Sequence, residues 1–214
     1  MDERVDERVE ETRVLSIDIG IVNFCFCIVD FKDHDFELVH MEKVAIGTMK
    51  DSALKLSTAL VDFLRSSEAI NERPIHYVFC ELQMSRAIKN TILSYATMTY
   101  FYTESCFSQR DVHIHFVQPR VKFNAIEAYF PGVAESQEMI CRSNSKDLKK
   151  LSIKIARNLF TELDITKGVE AIEQYKPKLD DVADVFLQAF SIYLEKYGNA
   201  GNPLRGRSKK CRHS

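Results

Sequence analysis

VLSIDIGIVNFCFCIVDF, residues 14–31, is the stretch on which the fold turns. Its first part, VLSIDIG (14–20), is β-branched and apolar almost without interruption, the mark of a strand buried on both faces. IVNFCFCIVDF (21–31) follows as a second strand in which aromatic residues and cysteines alternate. Only a tight turn separates the two, which predicts an antiparallel hairpin. Asp18 breaks the first run, and a carboxylate at a strand end costs free energy unless it is paired or ligates a metal.

The rest of the chain extends this frame. DFELVHMEKVAIG (35–47) is a third strand and completes a meander. DSALKLSTALVDFLRS (51–66) carries apolar residues at helical spacing, with Asp51 or Ser52 as N-cap. PIHYVFCEL (74–82) is a buried strand ended by Glu81, and SRAIKNTILSYATMTYFYTESCFSQ (85–109) is a long helix with Tyr and Phe on its apolar side. DVHIHFVQP (111–119) is a fifth strand, stopped by Pro119. A short helix over 120–130, a polar loop over 132–145, an amphipathic helix over 146–163 and a final helix over 178–198 complete the prediction. A meander followed by strand–helix alternation predicts an α/β fold, a mixed five-stranded sheet flanked by helices, with the strand of Asp18 at its centre.

Acidic residues recur at the ends of these elements. Glu81 closes the fourth strand as Asp18 does the first. Asp181 and Asp184, in KLDDVADVFLQA, are three apart and share one helix face. Asp180 lies off that face and reads as a first-turn acid. Three segments supplying four acids point to one converged metal site, and divalent metals held by carboxylates cleave phosphodiesters. The same residues also admit a structural reading: Asp18 as a turn residue before Gly20, Glu81 as the partner of a lysine, and Asp181 with Asp184 as acids favoured by the dipole at a solvated helix N-terminus.

With 214 residues, 45% of them hydrophobic, the chain can build one sizeable domain, set at residues 13–198. A disordered acidic leader over 1–12, in which DERV repeats, and a flexible basic tail over 199–214 flank it. These ends cancel in the net charge of −2, which therefore says little about nucleic-acid binding. No secretory signal or membrane-length apolar run is present, so an intracellular protein without a membrane partner is expected. The six cysteines form no CxxC pair, and Cys25, Cys27 and Cys80 fall in strands as small buried hydrophobes.

Four motifs in order, SIDIGIVNF (16–24), CELQMSRAIKN (80–90), QPRVKF (118–123) and KLDDVADVFLQ (178–188), resemble those of the RuvC-like Holliday junction resolvases, which have the ribonuclease H-like fold. The resemblance is to the branch found in poxviruses and other large cytoplasmic DNA viruses. It implies a homodimeric endonuclease that resolves four-way junctions and other branched DNA by paired symmetrical hydrolysis. It implies two magnesium ions per site, with manganese able to substitute, held by Asp18, Glu81, Asp181 and Asp184. It places Lys122 against the reacting phosphate, and Arg86, Lys89, Arg120, Lys149 and Lys150 along the DNA. A viral replication site in the host cytoplasm is the setting it favours over a mitochondrion. A catalytically inactive module that binds nucleic acid is the competing expectation. Two departures from the family pattern stand out: the stretch between Lys122 and Asp181 is long, and Gln83 is the lone glutamine after Glu81.

Overall fold

The computed structural model describes residues 11–32, 35–83, 86–119, 145–175 and 179–197. The strands are β1 (Thr12–Asp18), β2 (Phe24–Lys32), β3 (Asp35–Val44), β4 (Tyr77–Glu81) and β5 (His113–Val117). The helices are α1 (Ala53–Ser66), the single turn α2 (Glu68–Asn71), α3 (Ile88–Ser108), α4 (Ser145–Glu162), α5 (Thr166–Gln174) and α6 (Asp180–Tyr197). The leader before residue 11, the predicted helix 120–130, nearly all of the predicted loop and the tail lie outside the described residues.

The five strands form one mixed sheet in the order β3-β2-β1-β4-β5, so β1 is central, as expected. β1 and β2 pair antiparallel, as do β2 and β3, whereas β1 and β4, and β4 and β5, are parallel. Side chains alternate across a strand, and here both faces are covered. Val14, Cys25, Cys27, Val29 and Phe31 pack under α4, α5 and α6. Leu15, Ile17, Phe24, Phe26, Ile28 and Val78 pack on the other face, under α1 and α3. The result is three layers, helices–sheet–helices, which explains why the β1 and β2 sequences read as continuous apolar runs.

Ser52 is the N-cap of α1, its side chain accepting from the Lys55 N–H at 3.2 Å. The link from β1 to β2 is not the tight turn expected. Residues 19–23 form a longer loop that buries Ile19 and Ile21 in the α1–α3 core, and the Ile21 carbonyl accepts from the N–H groups of Ile46 and Gly47. The pull of two isoleucines into the core outweighs the economy of a short turn. In α3 the buried face is made by Leu93, Ser94, Thr97 and Phe101, with Tyr100 packed beside it, while Tyr95, Tyr102 and Phe107 are exposed, so only some of its aromatic residues lie on the inner side.

Two features had no sequence expectation. α5 is short and uncapped by a side chain, and it packs back on α4 where Gly168 meets the Phe160 ring. A Cβ at 168 would lie 2.4 Å from that ring, so only glycine allows the approach. The second is a β-bulge in β3. Ile28 pairs with His40 but Val29 with Leu38, leaving Val39 as the extra residue. The Val39 carbonyl accepts from Lys167 Nζ of α5 at 2.7 Å.

Candidate active site

Asp18 ends β1 and Glu81 ends β4. By alternation Asp18 shares a face with Val14, and Glu81 with Phe79, and both of those residues belong to the core under α6. The parallel pair Ile17–Cys80 brings the next residues, Asp18 and Glu81, alongside each other at ordinary strand spacing. In the other direction Asp18 pairs with Cys25, and Cys25 with Lys43. One row across the sheet thus runs Lys43, Cys25, Asp18, Glu81 and Val117, and its ionisable members face α6. Gly20 lets the chain turn off immediately beyond Asp18, since a Cβ there would lie 2.5 Å from the Asn23 carbonyl oxygen.

The sequence of α6 sets where its acids come down. Val182, Ala183, Val185 and Phe186 are buried in the core. The Cys27 thiol donates to the Val185 carbonyl at 3.3 Å, and Gln188 Nε2 donates to the Phe79 carbonyl at 3.2 Å. These bonds fix the helix over β2 and β4 and leave Asp181 and Asp184, on its first turns, above the acid end of the sheet. Asp181 Oδ2 accepts from Lys43 Nζ at 2.8 Å, and Asp184 turns Oδ1 away from solvent. Asp180 instead accepts from Lys149 of α4, in keeping with its place off the shared face.

The electrostatics tie the three segments together. Burial pushes the Cys25 thiol well above its ordinary pKa, and Asp18, Cys27 and Asp181 push it further, with Lys43 opposing. Burial likewise raises the Cys80 thiol, and then Asp18 and Glu81 add to it. The hydrogen bond to Asp180 holds the Lys149 ammonium above its usual pKa, against burial and with help from the charges of Asp180, Asp181 and Asp184. Burial alone would raise Asp180, but the Lys149 bond brings it below the usual carboxylate range. A concentrated negative field therefore sits at one end of the central strands, flanked by two ammonium groups.

The residues after Glu81 build the floor beside it. Gln83 Nε2 donates to the Glu81 carbonyl at 3.3 Å, and Asn90 Nδ2 to the Ile19 carbonyl at 3.2 Å. Lys89 Nζ donates to the carbonyls of Met49 and Asp51, each at 2.7 Å, and so ties α3 to the loop before α1. Arg86 is exposed, at the rim of a cleft lined by Gly20, Ile21, Val22, Asn23 and the start of α3. Lys149 and Lys150 are exposed on α4, and Lys154 and Arg157 continue the same basic strip. Arg120 and Lys122 lie outside the described residues.

Among the described residues no three His, Cys, Asp or Glu side chains are drawn together as a finished metal site. The donor set nevertheless suits magnesium in kind, being carboxylate oxygens at partly buried positions. The Lys43 ammonium on Asp181 shows that this position takes a cation. Sequence reasoning misses Lys43, Lys154 and Arg157. The α4 pair continues the helical spacing of Lys150 and could be found by it, whereas Lys43 carries no motif signal.

No protein-family model matches the chain, and no curated protein matches it in sequence. Solved structures match it in shape. The yeast mitochondrial Holliday junction resolvase Ydc2 superposes with a TM-score of 0.61 at 19% identity, over 91% of this chain and 87% of that one. The fowlpox virus Holliday junction resolvase gives 0.53 at 18% identity, over 86% and 99%. Thermus thermophilus RuvC gives 0.52 at 14% identity, over 87% and 97%. Mitochondrial, viral and bacterial resolvases are matched alike, so the likeness does not single out the poxvirus branch. No helix among the described residues is long and apolar enough to cross a membrane. The chain shares the ribonuclease H-like fold of these structures, a mixed five-stranded sheet flanked by helices.

Proposed function

We propose that this protein is a metal-dependent endonuclease that resolves four-way DNA junctions by paired symmetrical phosphodiester hydrolysis. One observation carries the reading: Asp18 and Glu81 stand side by side at the ends of adjacent central strands, under the helix turns that bear Asp181 and Asp184. A binding module has no use for four acids gathered from three elements, because their mutual repulsion costs stability.

Asp18, Glu81, Asp181 and Asp184 would hold magnesium, with manganese as a substitute. When bound, such ions activate a water and stabilise the leaving oxygen of an in-line displacement. The chain's own basic residues do the rest. Lys122 follows β5 a few residues past Val117, the partner of Glu81, and is proposed to contact the reacting phosphate. Arg86 at the cleft and Lys149, Lys150, Lys154 and Arg157 on α4 stand on either side of the acids and would neutralise phosphates of the DNA arms. Arg120 belongs to the same proposed surface, and Lys89 serves it by fixing the start of α3.

Symmetrical cutting calls for two sites, and α3 offers a surface for a homodimer. Ile88, Ile92, Tyr95, Thr99, Tyr102 and Cys106 recur at alternating spacings of four and three and are all exposed. A stripe of that period is self-complementary across a two-fold axis.

The test is cleavage of a labelled four-way junction in magnesium, against duplex and single-strand controls, with Asp18→Asn in parallel. Paired nicks that fall by about a hundredfold or more in the variant are expected, as for loss of a metal ligand. Cutting by Asp18→Asn at the wild-type rate would refute the reading. Tight junction binding with no cutting would move it to an inactive binding module.

A further inference from the structure

We propose that Lys43 is the resident counter-cation of this site, holding Asp181 in the metal-free protein and setting the divalent-ion concentration at which the site loads. The inference rests on the reading of the four acids as metal ligands.

Lys43 sits in the same sheet row as Asp18, with Cys25 between them. Its side chain is only 10% exposed and its ammonium is 2.8 Å from Asp181 Oδ2. Its backbone N–H is hydrogen-bonded to the Tyr175 hydroxyl at the end of α5, so the residue is held from both ends. The strand is shaped to put it there. Were the register of Val29 and Leu38 continued without the bulge, Glu42 would face Cys25; the extra residue Val39 moves Lys43 into that place. The bulge is itself secured by Lys167 on the Val39 carbonyl.

The electrostatic consequence has one sign. Lys43 relieves repulsion among the carboxylates before any ion arrives. A divalent ion reaching Asp181 must then displace the ammonium or lie beside it, and both outcomes oppose loading. A neutral residue at 43 removes that opposition and leaves the empty site more repulsive.

The experiment is calorimetric titration of manganese into the full chain without DNA, for wild type, Lys43→Met, Lys43→Gln, Lys43→Arg and Asp18→Asn. Lys32→Met, at the exposed opposite end of β2, is the charge control. Both neutral variants are expected to bind manganese about tenfold more tightly or better, with Lys43→Arg and Lys32→Met near wild type. Lys43→Gln keeps a hydrogen-bond donor for Asp181, so it guards against loss of folding in the methionine variant. The neutral variants should also melt at lower temperature without metal, the gap closing in saturating manganese. Unchanged or weaker binding in both, with wild type binding normally and Asp18→Asn impaired, would overturn the role of Lys43 alone. Absence of binding in wild type would overturn the metal reading and this inference with it.

Discussion

A side chain's role in this fold depends on the row it occupies. Asp18 and Glu81 can be singled out from sequence because each ends an apolar run, and their common facing follows from the period of two along a strand. Lys43 cannot be, because a bulge of one residue decides whether it or Glu42 joins them, and nothing in DFELVHMEKV announces that bulge. Asp51 is a second residue whose role only the structure shows. Rather than capping α1, it accepts from the Thr48 N–H at 2.7 Å, from the Thr48 hydroxyl at 2.8 Å and from Lys55 Nζ at 2.6 Å. The Lys55 bond first, and then those from Thr48, lower its pKa from 3.8 to about 2. A carboxylate lowered on folding contributes stability that is present above its unfolded pKa and is lost as pH falls through the folded one. Asp51→Asn is therefore expected to melt below wild type at neutral pH, with the difference fading between about pH 4 and pH 2 in thermal scans.

At the level of elements, sequence periodicity locates the strands and the long helices well, since each has a face to bury. It fails where residues are buried from loops or from short segments. The loop 19–23 reads as a tight turn because its isoleucines count as strand, although they fill the core from a loop. α5 escapes because TKGVEAIEQ is short and mostly polar, although Gly168, Ala171 and Ile172 form a narrow buried stripe and Gly168 allows the close approach of Phe160. α4 shows the opposite case. Ile155, Ala156, Leu159 and Phe160 bury one side, so the basic residues must lie on the other. Replacing Lys150, Lys154 and Arg157 together by alanine is expected to weaken junction binding across sequences. The slope of log affinity against log salt should fall by about one for each phosphate that is no longer neutralised. Gel-shift titrations over a salt series would measure it, and an unchanged slope would remove α4 from the DNA path.

On the scale of the whole molecule, the three-layer architecture and the central place of β1 are legible because strand order follows from the meander and the later strand–helix units. The association state is less so. Tyr and Phe in α3 read equally as core or as interface, and only their exposure separates the two. Tyr95 also meets Phe116 of β5 edge to face, with ring centroids 5.5 Å apart, so the apolar surface continues from the helix onto the edge strand. Placing charges on this surface with Tyr95→Asp and Tyr102→Asp is expected to convert a dimer to a monomer in sedimentation velocity, with circular dichroism unchanged. The monomer should still bind a junction arm but lose coordinated cutting of both strands. A variant that sediments as wild type would exclude this face as the contact.

The bulge at Val39 also bears on how the chain can vary in length. Residues added or removed at the tip of the β2–β3 hairpin leave everything from Leu38 onward in register with the site. One residue added between Leu38 and Lys43 shifts the parity of the strand and presents a different neighbour to Cys25, whereas removal of Val39 takes out the bulge and leaves Lys43 opposite Cys25. An insertion there exchanges the lysine for a glutamate. Insertions a few residues apart on one strand would thus be silent or would reset the charge of the site, so the segment from Leu38 to Lys43 is a place where added length is under constraint.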